Sequence, residues 1–147
     1  MTAPAAPAYA GIVTRALGLI VDLAIVNSVL LATTVTVGAL VAAVVPGRQS
    51  VGTPEILLTT AASVVFSACY FVGFWVLAGQ TPGMRLMGIA VTCERGEPLT
   101  LGRAVRRLVG FVLTVLTLGI GFLLVLLDDR RRALQDVIAG TVVVRGR

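Results

Sequence analysis

The sequence predicts an all-α membrane protein. It has two long transmembrane helices, a third apolar segment and a small two-stranded cytoplasmic element. Three observations carry this. Hydrophobic residues fill 57% of the 147 positions and charged residues only 13%, against about 25% charged in soluble domains. Residues 23–45, 56–78 and 108–127 contain no charge, and about 20 apolar residues suffice to cross a hydrocarbon core. All twelve basic residues are arginine, and most of them flank these runs, as the basic margins of membrane helices do. The net charge of +5 therefore reads as membrane flanks and not as a nucleic-acid surface, because no basic patch is interleaved with aromatics. Arginine-only basic usage in an Ala-, Val- and Gly-rich chain points to a GC-rich bacterial genome.

Residues 1–10 read as a flexible tail and 11–147 as a single membrane domain. MTAPAAPAYA has no basic start, and the apolar stretch behind it is interrupted by Arg15 and Asp22, so it is not a cleavable signal peptide. The first helix is expected over 12–45, stopping at Pro46 and Gly47. The second is expected over 54–78, with Tyr70, Phe71, Phe74 and Trp75 gathered near its end like a headgroup-level belt.

Residues 79–103 form a polar loop with Arg85, Arg95 and Arg103. The positive-inside rule places it in the cytoplasm, and two preceding helices place the N-terminus there as well. Within it, residues 88–93 read as a short strand and 94–98 as a turn. Residues 140–145 read as a second strand, and the two strands are expected to pair.

The apolar segment 104–127 is the difficult element. A single crossing would put Arg130, Arg131 and Arg132 outside and separate the two strands by a bilayer, stranding their backbone groups. The run TLGIG at 117–121 is a plausible helix break. A re-entrant helical hairpin is therefore expected, with a third transmembrane helix as the alternative. The segment 128–147 then lies in the cytoplasm with the C-terminus.

Arg15 and Asp22 are the leading candidate residues. Seven positions apart, they return to one helix face about 10 Å further along, with Gly11 and Gly18 on the same stripe. Charges inside a membrane face protein or water and mark functional sites by default. Two roles for Asp22 stay open: ion handling, or fixing helix register through a buried pair. Arg15 has the reach to anchor at the headgroups. Asp136 is expected to pair with Arg85 or Arg103, tying the terminal segment to the central loop. Arg130, Arg131 and Arg132 are expected to meet anionic lipid headgroups.

Other chemistry is not expected. Cys69 and Cys93 make no framework, there is no histidine, and no metal-ligand spacing occurs. Thr81, Pro82 and Gly83 resemble a phosphate loop only faintly, since Met84 stands where its lysine is needed. No enzyme activity, metal or cofactor is anticipated.

Three stretches together resemble the RDD family of bacterial membrane proteins, named for one arginine and two aspartates. They are Arg15-x6-Asp22, GQTPGMRLMGIAV at 79–91 and RRRALQDVIAGTVV at 130–143, and they span nearly the whole chain. The resemblance implies that Arg15, Asp22 and Asp136 are the family's three named residues. It also implies the bacterial inner membrane and a role in transport, with cation/proton exchange proposed for some members, or else in larger membrane assemblies. The family often has Lys at the position of Met84 and His at that of Gln135, and glutamine does not titrate near neutral pH. The expected function is binding or transport of a small cation or polar solute by an oligomer, since one copy has too few helices to enclose a path. The alternative is a non-transporting accessory or assembly module of a larger complex. Small residues such as Gly18, Ser28, Ala32, Ala61, Ala62 and Ala68 suit close helix packing in either case.

Overall fold

A computed structural model describes residues 8–45, 52–94 and 96–145. The expected helix stop at Pro46 and Gly47, residues 1–7 of the tail and Arg95 of the expected turn lie outside the described residues. The elements are α1 (Ile12–Val44), α2 (Thr53–Ala78), α3 (Pro82–Leu86), β1 (Ile89–Cys93), α4 (Leu101–Leu116), α5 (Ile120–Leu127), α6 (Leu134–Ala139) and β2 (Thr141–Arg145). With 33 and 26 residues, α1 and α2 measure about 50 and 39 Å at 1.5 Å per residue. Both exceed a hydrocarbon core of about 30 Å.

The chain divides into two units, Leu23–Tyr70 and the remainder. In Leu23–Tyr70 the large apolar side chains are mostly exposed, as a surface solvated by lipid requires. Its polar side chains bond back to their own helix. Asn27, Thr33, Thr34, Thr59, Ser63 and Ser67 each donate to the carbonyl four residues earlier. No such donor needs water, which hydrocarbon does not supply.

The other unit is built around a small sheet. β1 and β2 are antiparallel, with Val91 opposite Val143 and Cys93 opposite Thr141. The expected strand pairing is present. Residues 8–10, expected in the flexible tail, instead line the free edge of β2. Ala10 N–H donates to Val143 O at 2.9 Å, and Arg145 N–H donates to Ala8 O at 2.8 Å. They are ordered because β2 would otherwise carry unpaired backbone groups on that edge. Val91 and Val143 are both buried in the core. Thr141 and Val143 share one face of β2, and Val142 is buried on the other.

The segment expected at 104–127 begins three residues earlier, with α4, and is not one straight helix. α4 and α5 are bent by 108° at the expected break. Leu118 (φ 53°) and Gly119 (φ 85°) adopt left-handed conformations there. Leu118 is 95% exposed at this apolar tip. Glycines bring α6 against the bend. A Cβ at Gly110 would lie 2.5 Å from Gln135 Cα, and one at Gly121 would lie 2.9 Å from Leu134 Cβ.

One element was not expected inside the 79–103 loop. Thr81 caps α3, accepting from Met84 N–H at 3.2 Å, and Pro82 opens the helix. Thr-Pro at a helix start is a recognisable signal. The chain reads it as a cap and not as a phosphate loop.

Candidate functional site

Two buried arginines, Arg15 and Arg107, converge on Asp136. This residue occupies the first turn of α6, where its Oδ2 accepts the Ala133 amide at 3.0 Å, closing the helix start. The same oxygen accepts from Arg15 Nη1, and Oδ1 accepts from Arg107 Nη1. Asp136 is fully buried, at 0% exposure. Burial pushes its carboxyl up, but the guanidiniums of Arg107 and Arg15 more than offset this and hold it below the usual carboxylate range.

Each arginine is further fixed. Arg15 Nε donates to Ala10 O at 3.1 Å and Nη2 to Arg131 O at 2.6 Å. Arg15 thus holds the strand-like residues before α1 and the turn after α5 with one side chain. Arg107 Nη1 also donates to Thr141 Oγ1 at 2.9 Å. Its guanidinium lies 4.9 Å from the centre of the Trp75 ring, a cation–π distance. Trp75 stacks in turn near Phe71, at 5.6 Å between ring centres, and Phe71 near Phe111, at 5.7 Å.

Asp22, 2% exposed, belongs to a second group. Its Oδ2 accepts from the Thr81 hydroxyl and its Oδ1 from Gly83 N–H at 2.8 Å. The carboxylate therefore sits at the start of α3, where free amide hydrogens point. The approach needs glycine at position 83, where a Cβ would lie 2.8 Å from the Asp22 carboxyl carbon; one at Gly18 would make an ordinary contact with Gly83 O at 3.4 Å.

A cavity of about 40 Å³ lies between these groups, and Arg15, Asp22, Trp75, Thr81, Arg107 and Gln135 are among the residues that line it. This is room for about one water. Arg107 Nε and Trp75 Nε1 are the buried side-chain donors without a partner among the described residues. Gln135 accepts from Thr114 Oγ1 at 3.1 Å.

The structure redistributes several sequence expectations. Asp136 does not meet Arg85 or Arg103. Arg85 is exposed at the end of α3, and Arg103 lies 3.8 Å from Glu97. The chain instead uses Arg107, which one turn of α4 carries from Arg103 to the buried face. Arg15 is not an extended headgroup anchor, because its guanidinium is spent on Asp136 and two carbonyls. Arg130 and Arg132 pair with Glu94 at 3.3 and 2.7 Å, and Arg132 also with Asp128 at 2.8 Å. Hydrogen bonds from Arg132 hold the Asp128 carboxyl far below its ordinary range. Arg131 makes no side-chain ion pair among the described residues. Arg107, Thr81, Thr141 and Trp75 were missed. The signal for Arg107 was its place in an amphipathic segment, one helical turn after Ala104 and three residues before Gly110, all on the buried face.

Two apolar helices long enough to span a bilayer, and a buried arginine–aspartate cluster, define a small helical membrane protein. The chain belongs to the RDD family, whose model matches residues 9–140, a stretch that includes Arg15, Asp22, Arg107 and Asp136. It is similar to the "Uncharacterized protein RP437" of Rickettsia prowazekii (strain Madrid E), at 29% identity over 90 residues. Those residues cover 60% of this chain and 50% of that protein, so the chain spans about half the length of the curated relative it matches. No solved structure matches the chain.

Proposed function

We propose that this RDD protein is a non-transporting accessory or assembly module of the bacterial inner membrane, and that its arginine and two aspartates are an internal clasp. One observation carries this reading. Every carboxylate oxygen of Asp22 and Asp136 already accepts a hydrogen bond from within the chain. A cation binding at either carboxylate competes with those donors for the carboxylate lone pairs. The cavity between the groups holds about one water and is no conduit. Its open valences are N–H donors, which repel a cation.

A specific feature favours a second reading, in which a small polar solute is handled at this centre by an oligomer. Two unpartnered buried donors, on residues that line this small cavity, are uncommon, and a solute bearing acceptors satisfies them. A water molecule with two lone pairs does so equally well.

The proposed topology keeps both termini in the cytoplasm and makes α4–α5 re-entrant. β1 and β2 pair in one sheet, so the apolar segment between them leaves and returns on the same side. α5, with 8 residues, is about 12 Å long, too short to recross a core of about 30 Å. The exposed apolar tip at Leu118 suits immersion in lipid.

The test is Asp22→Asn in the full chain. The clasp reading expects lower thermal stability or weaker retention of partner subunits in mild detergent. The solute reading expects unchanged stability with loss of a solute-dependent signal.

A further inference from the structure

We propose that the cleft lined by Ala8, Tyr9, Arg131 and Arg145 binds the phosphate of an anionic phospholipid headgroup. The sequence distributes this role over Arg130, Arg131 and Arg132, and the structure narrows it. Glu94 and Asp128 neutralise Arg130 and Arg132. Arg131 and Arg145 have no ion pair or side-chain hydrogen bond among the described residues, yet both line a cleft of about 340 Å³ with Ala8 and Tyr9. Two uncompensated guanidiniums and a phenol hydroxyl are a donor set for phosphate oxygens.

The arrangement is held from behind. Arg131 adopts φ 51°, a left-handed conformation that costs a non-glycine residue about 1–2 kcal/mol. Its N–H donates to Asp128 O at 2.8 Å, and its carbonyl is gripped by Arg15 at 2.6 Å. A Cβ at Gly11 would lie 3.5 Å from Arg131 Nη1, which puts the guanidinium against the start of α1. The backbone of Arg145 is held by its N–H, which donates to Ala8 O at 2.8 Å.

The cleft lies where apolar helices begin and end. Tyr9 precedes α1 by three residues, and Arg131 follows α5 by four. Val13, four residues after Tyr9, and Leu126 and Leu127, five and four residues before Arg131, are exposed apolar side chains. Such a boundary is the headgroup level, where tyrosine and arginine concentrate. This position selects a lipid phosphate over a free one.

The experiment is native mass spectrometry of the full chain in detergent, titrated with phosphatidylglycerol or phosphatidylcholine. The wild type is expected to prefer phosphatidylglycerol. The Arg131→Gln/Arg145→Gln double variant is expected to bind it about thirtyfold more weakly, the equivalent of two near-surface arginines. Arg106→Gln, at an exposed arginine on α4 away from the cleft, is expected to bind as wild type. Equal affinity in the double variant and the wild type overturns the proposal. So does displacement of the lipid by millimolar inorganic phosphate, which identifies a free-anion site. If the double variant loses lipid-free thermal stability, Arg145→Gln alone carries the test, with an expected loss of about fivefold and overturning by no loss.

Discussion

Replacing Asp136 with asparagine removes one negative charge from between two buried arginines. The geometry sets the size of the effect. Oδ2 accepts both Arg15 and the Ala133 amide, and Oδ1 accepts Arg107. An asparagine has one carbonyl to offer. Turned toward Arg15 and Ala133, it directs its amide hydrogens at Arg107; turned the other way, it strands Arg15 and the helix start. Either orientation leaves a buried guanidinium facing a donor. Breaking a buried pair by removing one partner costs about 3–5 kcal/mol. Stacking of Arg107 on Trp75 is common to both proteins and cancels, so the expected loss is about 3–5 kcal/mol. Reversible unfolding by SDS in mixed micelles measures it, and the sole tryptophan, Trp75, reports directly because it lies beside Arg107. A variant within about 0.5 kcal/mol of wild type, the range of inert surface changes, would refute the clasp.

Further outcomes follow from the same contacts. Gly110→Ala should destabilise by about 1–3 kcal/mol, since its new methyl would meet Gln135 backbone at 2.5 Å; the same unfolding titration reads it. Thr81→Val should cost about 1–3 kcal/mol, because it removes the α3 cap and one donor to the Asp22 carboxylate. Stability should be flat from pH 5 to 7. The Asp136 carboxyl is held below its unfolded value of about 3.9, so its contribution is complete above that value and is lost as pH falls through the depressed one. With no histidine in the chain, a thermal midpoint that shifts between pH 5 and 7 would contradict this. A cysteine introduced at Arg145 should react with impermeant thiol reagents only from the cytoplasmic side, and labelling from outside would reject the re-entrant topology.

The sequence exposes the elements more readily than the partners. Uncharged runs reveal α1 and α2 to within a residue or two, because lipid demands long apolar helices. Alternating residues reveal β1 and β2, and the argument from stranded backbone groups predicts their pairing. The break near Gly119 is also legible, since a left-handed residue there favours glycine. The charge partners are not. Arg15 and Asp22 share a helix stripe, yet they bond to different groups: Arg15 to Asp136, 121 positions away, and Asp22 to Thr81, 59 away. Only the folded chain brings these together. Arg107 hides in the sequence because Arg103, Arg106 and Arg107 look equivalent until the buried face of α4 is known. The ordering of residues 8–10 was equally hidden, since Ala-Tyr-Ala carries no strand pattern and is recruited by the open edge of β2.

Ion flux through the reconstituted protein tests the central claim most directly. Full-length wild type and Asp22→Asn are placed in proteoliposomes, and sodium, potassium and proton movements are followed across gradients of either direction. The account predicts that wild type shows no flux above protein-free vesicles at any pH between 5 and 8, while Asp22→Asn unfolds more easily in detergent. Cation-dependent flux in the wild type, abolished in an Asp22→Asn protein of unchanged stability, would contradict it and make Asp22 an ion-handling residue.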